Sequence, residues 1–290
     1  MGDLFLAYQS LIAFVGINAL LALSIYATLC CGQLSLANAG FMAIGAYTGA
    51  LLTLRAPGIP FVAVLAAASI VPAVIAVPLG LPVLRLRGVF LAIATVGFGE
   101  VVRLFFVNWS YTNGALGLVA IPQRTSLWTI ALALAVTLFV LGRLRGSRYG
   151  YALEAIREDE TAARTMGIFT TGHKLAMLAL GAAIAGLAGA LEAHFTFMVA
   201  PSGYAFGRVV EMLVQAVVGG TVAFYGPVIG AAFLTVLPEV LREVGARMGL
   251  TPGPFRLLLN GAILLAVILY LPNGLVSLPA VLRRRVRRPA

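Results

Sequence analysis

The sequence predicts an all-α polytopic membrane protein of about nine transmembrane helices, within a range of eight to ten. Two features of composition and one of pattern predict it. Of 290 residues, 61% are apolar and 10% charged, where a soluble domain carries about a quarter charged and under half apolar. Mean hydropathy is +1.02. Apolar runs near the ~20 residues that cross a hydrocarbon core recur along the whole chain. This composition excludes a soluble globule and a disordered tail. The formal net charge of +10 is no nucleic-acid signal, because the cations gather in clusters between apolar runs.

In chain order the candidate spans lie at 8–30, 38–54, 62–83, 89–107, 126–143, 174–198, 208–223, 227–244 and 255–272. The first is read as a mature span: Met1 to Gln9 lacks a basic n-region and a small-residue cleavage site. Segment 38–54 and the 208–244 pair are short or Gly-rich, so they are the candidates for broken or re-entrant helices. Such segments are tolerated where protein buries their backbone. Pro57, Pro60, Pro201, Pro227, Pro252, Pro254 and Pro272 stand at or near span ends, and Pro72 and Pro78 should kink the third span. Cys30 and Cys31 read as small apolar fillers of a helix end. The two His and two adjacent Cys make no metal-ligand spacing. Asn18, Gln215 and Asn260 are isolated polar residues suited to interhelical hydrogen bonds.

Orientation follows from Lys and Arg in short loops. Arg85 and Arg87 flank one junction, six cations from Arg143 to Lys174 fill the longest polar loop, and Arg283, Arg284, Arg285, Arg287 and Arg288 close the chain. The proposed spans put all three clusters on one side, taken as cytoplasmic, with a basic tail at 278–290 and the N-terminus outside. In 174–198, Gly181, Ala185 and Gly189 form one small-residue stripe, and Ala182, Gly186 and Ala190 form another. Small residues let helices approach closely in lipid; a lining for a permeation path is the alternative use.

Loop 144–173 combines these cations with Glu154, Glu158, Asp159 and Glu160. Ala152, Ala155, Ile156, Ala163 and Met166 recur at helical spacing, with Gly167 as the C-terminal stop. The pattern predicts one amphipathic surface helix over about 150–167. Topology alone needs only cations, so the acids point to a helix that docks into a soluble partner.

This stretch resembles the cytoplasmic "EAA-type" loop of ATP-binding-cassette importer permeases: Thr161-Ala162-Ala163, three residues, then Gly167, with Glu160 just ahead. The acid is displaced by one position from that motif. The longer string Tyr149-Gly150 through Ala155-Ile156-Arg157-Glu158-Asp159-Glu160, then Gly167-Ile168, is similar to the permeases of branched-chain amino-acid importers, the LivM-type half. Three further blocks agree: Gly32-Gln33-Leu34-Ser35-Leu36 with Ile44-Gly45-Ala46-Tyr47, Leu86-Arg87-Gly88-Val89-Phe90 with Gly97-Phe98-Gly99-Glu100, and Gly219-Gly220 with Gly226-Pro227. Val222 and Ala223 stand where that family would carry a further Gly-Thr pair; Pro272-Asn273-Gly274-Leu275 fits it.

The resemblance implies a single permease domain over 1–290, in a bacterial inner membrane, moving branched-chain or related hydrophobic amino acids inward. It implies partners: cytosolic ATPase subunits, a second homologous permease subunit and a periplasmic substrate-binding protein. It implies no catalysis on this chain, with ATP and magnesium held by the ATPases. The sequence carries no phosphate-binding loop, since the near match around Gly167, Gly172 and Lys174 has His173 intruding and Leu175 in place of a hydroxyl. The expected ATPase-coupling residues are Ala155, Arg157, Glu158, Asp159, Glu160, Ala162, Ala163 and Gly167.

Six ionisable residues fall within or near spans: Glu100, Arg103, Glu192, His194, Arg208 and Glu211. Each costs roughly 2.5–3.5 kcal/mol at a helix centre unless paired or wet. All fall toward the outer ends of their helices, and Glu100 and Arg103 are spaced to pair. Local pairing is one reading; a translocation path or outer vestibule built from Glu100, Arg103, Glu192, His194 and Glu211 is the other. The same machine could carry urea, amides or aromatic acids. An ion-coupled secondary transporter is the alternative of a different class, and would place carboxylates nearer mid-bilayer.

Overall fold

The computed structural model describes residues 2–86, 88–221, 223–247 and 274–277. The helices in chain order are α1 (Gly2–Leu29), α2 (Asn38–Arg55), α3 (Phe61–Val83), α4 (Val89–Asn108), α5 (Leu127–Arg145), α6 (Arg148–Glu158), α7 (Glu160–Thr165), α8 (Thr170–Thr196), α9 (Phe206–Gly219) and α10 (Gly226–Arg247). Each of the first eight segments read from the sequence coincides with a helix. Segment 255–272, Asn260, Arg87, Val222 and the basic tail lie outside the described residues. Among the described residues, five helices are long and apolar enough to cross a membrane: Tyr8–Leu29, Phe61–Val83, Val89–Asn108, Leu127–Arg145 and Thr170–Thr196.

The two doubtful regions resolve differently. Helix α2 is unbroken over 18 residues; the irregular backbone lies ahead of it. The chain leaves α1, turns through Gly32 at φ 71, and runs back among the helices. Asn38 at the start of α2 donates to Ser24 Oγ of α1 at 2.8 Å, more than a turn before α1 ends. The Leu36 amide donates to Thr95 Oγ1 of α4 at 2.9 Å. Side-chain hydroxyls thus serve backbone and amide groups that hydrocarbon would leave unpaired. The 208–244 pair is a helical hairpin. Its arm α9 has 14 residues, about 21 Å of rise, short of the ~30 Å core.

Helix α8 is the post around which the rest packs, and the small-residue stripes do the packing. A Cβ added to Gly181 would press on the Ser24 carbonyl of α1. At Gly189 it would overlap the Met42 carbonyl of α2, and at Gly186 the Ala68 carbonyl and Pro72 ring of α3. Gly45 of α2 in turn has no room beside the Gly186 backbone. Both stripes are therefore spent on backbone-to-backbone approach, and the stripe lies within the packed core rather than along an open path. Asn18 of α1 donates to Thr235 Oγ1 of α10 at 2.9 Å, the interhelical bond expected of it. Helix α3 runs on through Pro72, Pro78 and Pro82.

The two ends of the bundle differ. On the basic side, the start of α8 lies under the end of α3, where Leu175 and Leu178 crowd Gly80; this places the Arg85 junction beside the 143–174 cations. Gly88, at φ 58 and ψ −129, opens α4 with a backbone that favours glycine. On the opposite side the loops are stitched together. Strand β1 (Leu118–Val119) pairs antiparallel with β2 (Met198–Val199), a small addition to the expected all-α fold. Arg124 donates to the Ile59 and Pro57 carbonyls at 3.0 and 2.9 Å, and the Arg55 guanidinium stacks 3.6 Å from the Tyr111 ring centre.

Gly45→Val or Gly186→Val should destabilise the bundle by about 1–3 kcal/mol or prevent its insertion, because backbone cannot yield as a side chain can. Gly203→Val, where added atoms meet open space, should not. Yield in membranes and melting in detergent check this.

Candidate functional site

The loop between α5 and α8 is a helical hairpin lying across the basic end. Arg143 and Arg145 in the last turn of α5 suit its C-terminal carbonyls. Ser147 then caps α6, accepting from the Gly150 amide at 3.4 Å. The turn is so tight that a Cβ at Gly150 would overlap the Leu144 and Arg145 carbonyls. Leu153 and Ile156 of α6 and Ala163 of α7 point inward and are buried.

The single helix expected over 150–167 is in fact two. Asp159 adopts φ −151, ψ 106 and ends α6. Its carboxylate accepts from the Thr161 and Ala162 amides at 2.7 and 3.0 Å, capping α7. This short acidic side chain satisfies two amides that an uninterrupted helix would have bonded to its own carbonyls. The break resets the helical phase. Met166, expected on the apolar inward face, is therefore 83% exposed. Gly167, at φ 82, stops α7, and Phe169 beyond it is 73% exposed.

The structure separates the four charged residues of 157–160. Glu158 and Asp159 are exposed. The Arg157 backbone lies against Gly32, and Arg157 lines a cavity of about 50 Å³ with Tyr26, Cys30, Arg145, Glu154 and Thr221. Glu160 faces inward as a latch. Lys174 donates to its Oε2 at 2.7 Å, and Arg164 to its Oε1 at 2.6 Å. Arg164 also donates to Thr170 Oγ1 at 2.9 Å. Burial pushes the Glu160 carboxyl up, but Lys174 and Arg164 outweigh it and hold the group below the usual carboxylate range. Ala155 is half-buried and Ala162 exposed. The hairpin is thus seated on the ends of α1, α5, α8 and the α9–α10 turn, and shows its partner-accessible face at Tyr151, Glu158, Met166 and Phe169. Tyr151 and Phe169 carried no sequence signal of their own; their exposure depends on where the helices break.

The six ionisable residues near the opposite side form three separate groups. Arg103 pairs with Glu100 on α4, its Nε donating to Oε1 at 2.8 Å. Arg208 of α9 donates to Glu192 of α8 at 2.8 Å and to Glu211 at 3.3 Å. His194 stands apart and buried: Nδ1 lies 2.7 Å from the Ala190 carbonyl and so carries the proton, and Nε2 accepts from Thr53 Oγ1 at 2.8 Å. Its ring meets Phe61 edge-on. Both nitrogens are satisfied, so His194 ties α8 to α2 and is withdrawn from any vestibule. Among the described residues no cluster of three His, Cys, Asp or Glu side chains is placed to hold a metal.

Residues 7–268 match the family model described as "branched-chain amino acid transport system / permease component". The chain is 33% identical to the high-affinity branched-chain amino acid transport system permease protein LivM of Salmonella typhimurium, over 91% of its own length and 67% of that protein. It is 32% identical to LivM of Escherichia coli over the same shares. A solved structure of PsaBC from Streptococcus pneumoniae in complex with Fab covers 90% of each chain at 14% identity and a TM-score of 0.48.

Glu160→Gln should lower stability by about 1–2 kcal/mol. The carboxyl is held below its ordinary value of 4.5, so its contribution is present above that pH and is lost as pH falls through the depressed value. The gap in melting temperature between wild type and variant should therefore be full well above that ordinary value and narrow progressively as pH falls below it.

Proposed function

Because the chain belongs to the family of branched-chain amino-acid transport-system permease components, we propose that it carries leucine, isoleucine and valine across a bacterial inner membrane into the cytoplasm. It is a multi-pass permease subunit, with no chemistry of its own. The branched-chain amino acid transport of both LivM relatives supports the substrate class. The positive-inside rule assigns the basic side, and with it the arginine-rich C-terminal sequence, to the cytoplasm. A second permease subunit and a periplasmic binding protein complete the importer, and substrate choice is shared with the binding protein.

The energy comes from cytosolic ATPase subunits, which hold ATP and magnesium, and it enters through α6 and α7. The observation that carries this reading is the seating of the hairpin. Its buried face rests on the inner ends of α1, α5, α8 and the α9–α10 turn. Its outer face presents acids beside exposed Met166 and Phe169, a mixed surface suited to a groove on a soluble partner. Closure of the ATPases would push a rigid element joined to several helices at once, which is how small movements at an interface become domain rocking. Asp159 and Glu160 act from within the hairpin: one caps α7, the other latches it to α8.

The test is uptake into proteoliposomes holding the complete complex, binding protein and internal ATP, with leucine, isoleucine and valine set against urea and aromatic acids. Uptake of the branched-chain amino acids that stops without ATP supports the proposal. Uptake of urea or aromatic acids instead, or uptake driven by an ion gradient alone, overturns it. Met166→Asp combined with Phe169→Asp should reduce co-purification of the ATPase subunits about tenfold, some 1.4 kcal/mol of binding, while the permease still inserts. Undiminished co-purification would remove α7 from the contact.

A further inference from the structure

The outward faces of the bundle are not equivalent. Between Phe61 and Leu84 on α3, and between Leu127 and Gly142 on α5, no residue is ionisable. Their exposed side chains, such as Ile70, Val74, Leu132 and Phe139, suit lipid. Helix α4 exposes a different stripe: Ile93, Gly97, Glu100 and Leu104 recur at helical spacing. Ile93 is 63% exposed, and a side chain added at Gly97 would meet nothing within 4 Å. The Glu100 side chain is 42% exposed. Helix α9 stands beside it, sharing with Glu100 a small cleft walled by Leu36, Val96, Tyr204, Phe206 and Val209. Here Gly207 is as open as Gly97, Val210 is exposed, and the Glu211 side chain is 64% exposed.

Depth makes this face anomalous. Glu100 stands eight residues before α4 ends at Asn108, about 12 Å along this span from that end. Ionisable groups at such depth face protein or water rather than lipid. The described chain covers neither Glu100 nor Glu211. Both Arg103 contacts fall on Glu100 Oε1, which leaves Oε2 without a partner among the described residues. The Glu100–Arg103 pair on α4 and the Arg208–Glu192–Glu211 group on α8 and α9 together carry three acids against two bases. A surface of this make-up attracts an ammonium group, tolerates a carboxylate near its guanidiniums, and offers Ile93, Leu104 and Val210 to an aliphatic side chain.

We propose that the α4–α9 face, with Gly97, Glu100, Gly207 and Glu211, is one wall of the water-filled passage that the second permease subunit completes, and that Glu100 Oε2 meets the ammonium group of the passing amino acid. The proposal rests on the importer reading above and adds which face and which carboxylate serve it.

Single cysteines at Gly97 and Val210, with Ile93 as a second α4 position should Gly97→Cys fail to insert, would be introduced into a Cys30→Ala, Cys31→Ala chain. The complete complex in proteoliposomes would be exposed to a charged, membrane-impermeant methanethiosulfonate. Modification at these positions at least about tenfold faster than at Ile70→Cys and Phe139→Cys, with a rate that changes when ATP is added, is expected. Rates as slow as those controls would place the face against lipid or in a dry contact and overturn the proposal. Glu100→Gln should cut the maximal uptake rate about tenfold, with Glu100→Asp recovering most of it. Unaltered uptake by Glu100→Gln would remove the carboxylate from the path. The two readings separate cleanly. Wild-type uptake of leucine with slow labelling rejects the passage alone; fast, ATP-sensitive labelling without branched-chain uptake rejects the substrate alone.

Discussion

Everything in this bundle depends on how closely α8 can approach its neighbours. Apolar surface drives no association between helices already dissolved in lipid, so stability has to come from contact and hydrogen bonding. Gly181, Gly186 and Gly189 bring the α8 backbone against carbonyl groups of α1, α3 and α2 in turn. Gly45 reciprocates from α2. Contact at this range gathers many weak dispersion terms, and it also positions polar groups. The His194–Thr53 bond at 2.8 Å and the Thr125–Leu191 bond at 3.1 Å exist because α8 lies where it does.

A rigid centre allows the ends of the molecule to specialise. At the basic end, the hairpin is joined to the bundle by a charged latch and by buried Leu153 and Ile156. At the opposite end, paired strands and the Arg124 bonds clamp the loops. The charged residues are used economically: Glu192 and Glu211 hold α9 through Arg208, while Glu100 keeps one oxygen available.

Much of the architecture could be read from residues in order. Span positions follow from apolar runs, because hydrocarbon thickness sets a length that composition reveals directly. The stripes of 181–190 announced close packing, since helical spacing is known in advance. The hairpin was less legible. Asp159 sits in a run with helical periodicity, and a capping carboxylate differs from a solvated one only in its backbone angles. One residue out of helical phase was enough to turn Met166 from inside to outside. The inward fold of 31–37 was hidden for a similar reason: Leu36 meets Thr95 and Asn38 meets Ser24 across distances in sequence that no local pattern encodes.

By itself the sequence determined that this is a multi-helix membrane protein, where its spans lie, which end carries the basic clusters, and the family to which its motifs point. These are properties of composition and local spacing, which burial in lipid converts into structure without reference to distant residues. Only the tertiary structure decided how the six ionisable residues in or near spans divide. Glu192 and Arg208 lie 16 residues apart, and His194 and Thr53 lie 141 apart. Whether such groups neutralise one another or stand open depends on which helices touch. That contact is set by glycine-scale packing distributed over the whole chain.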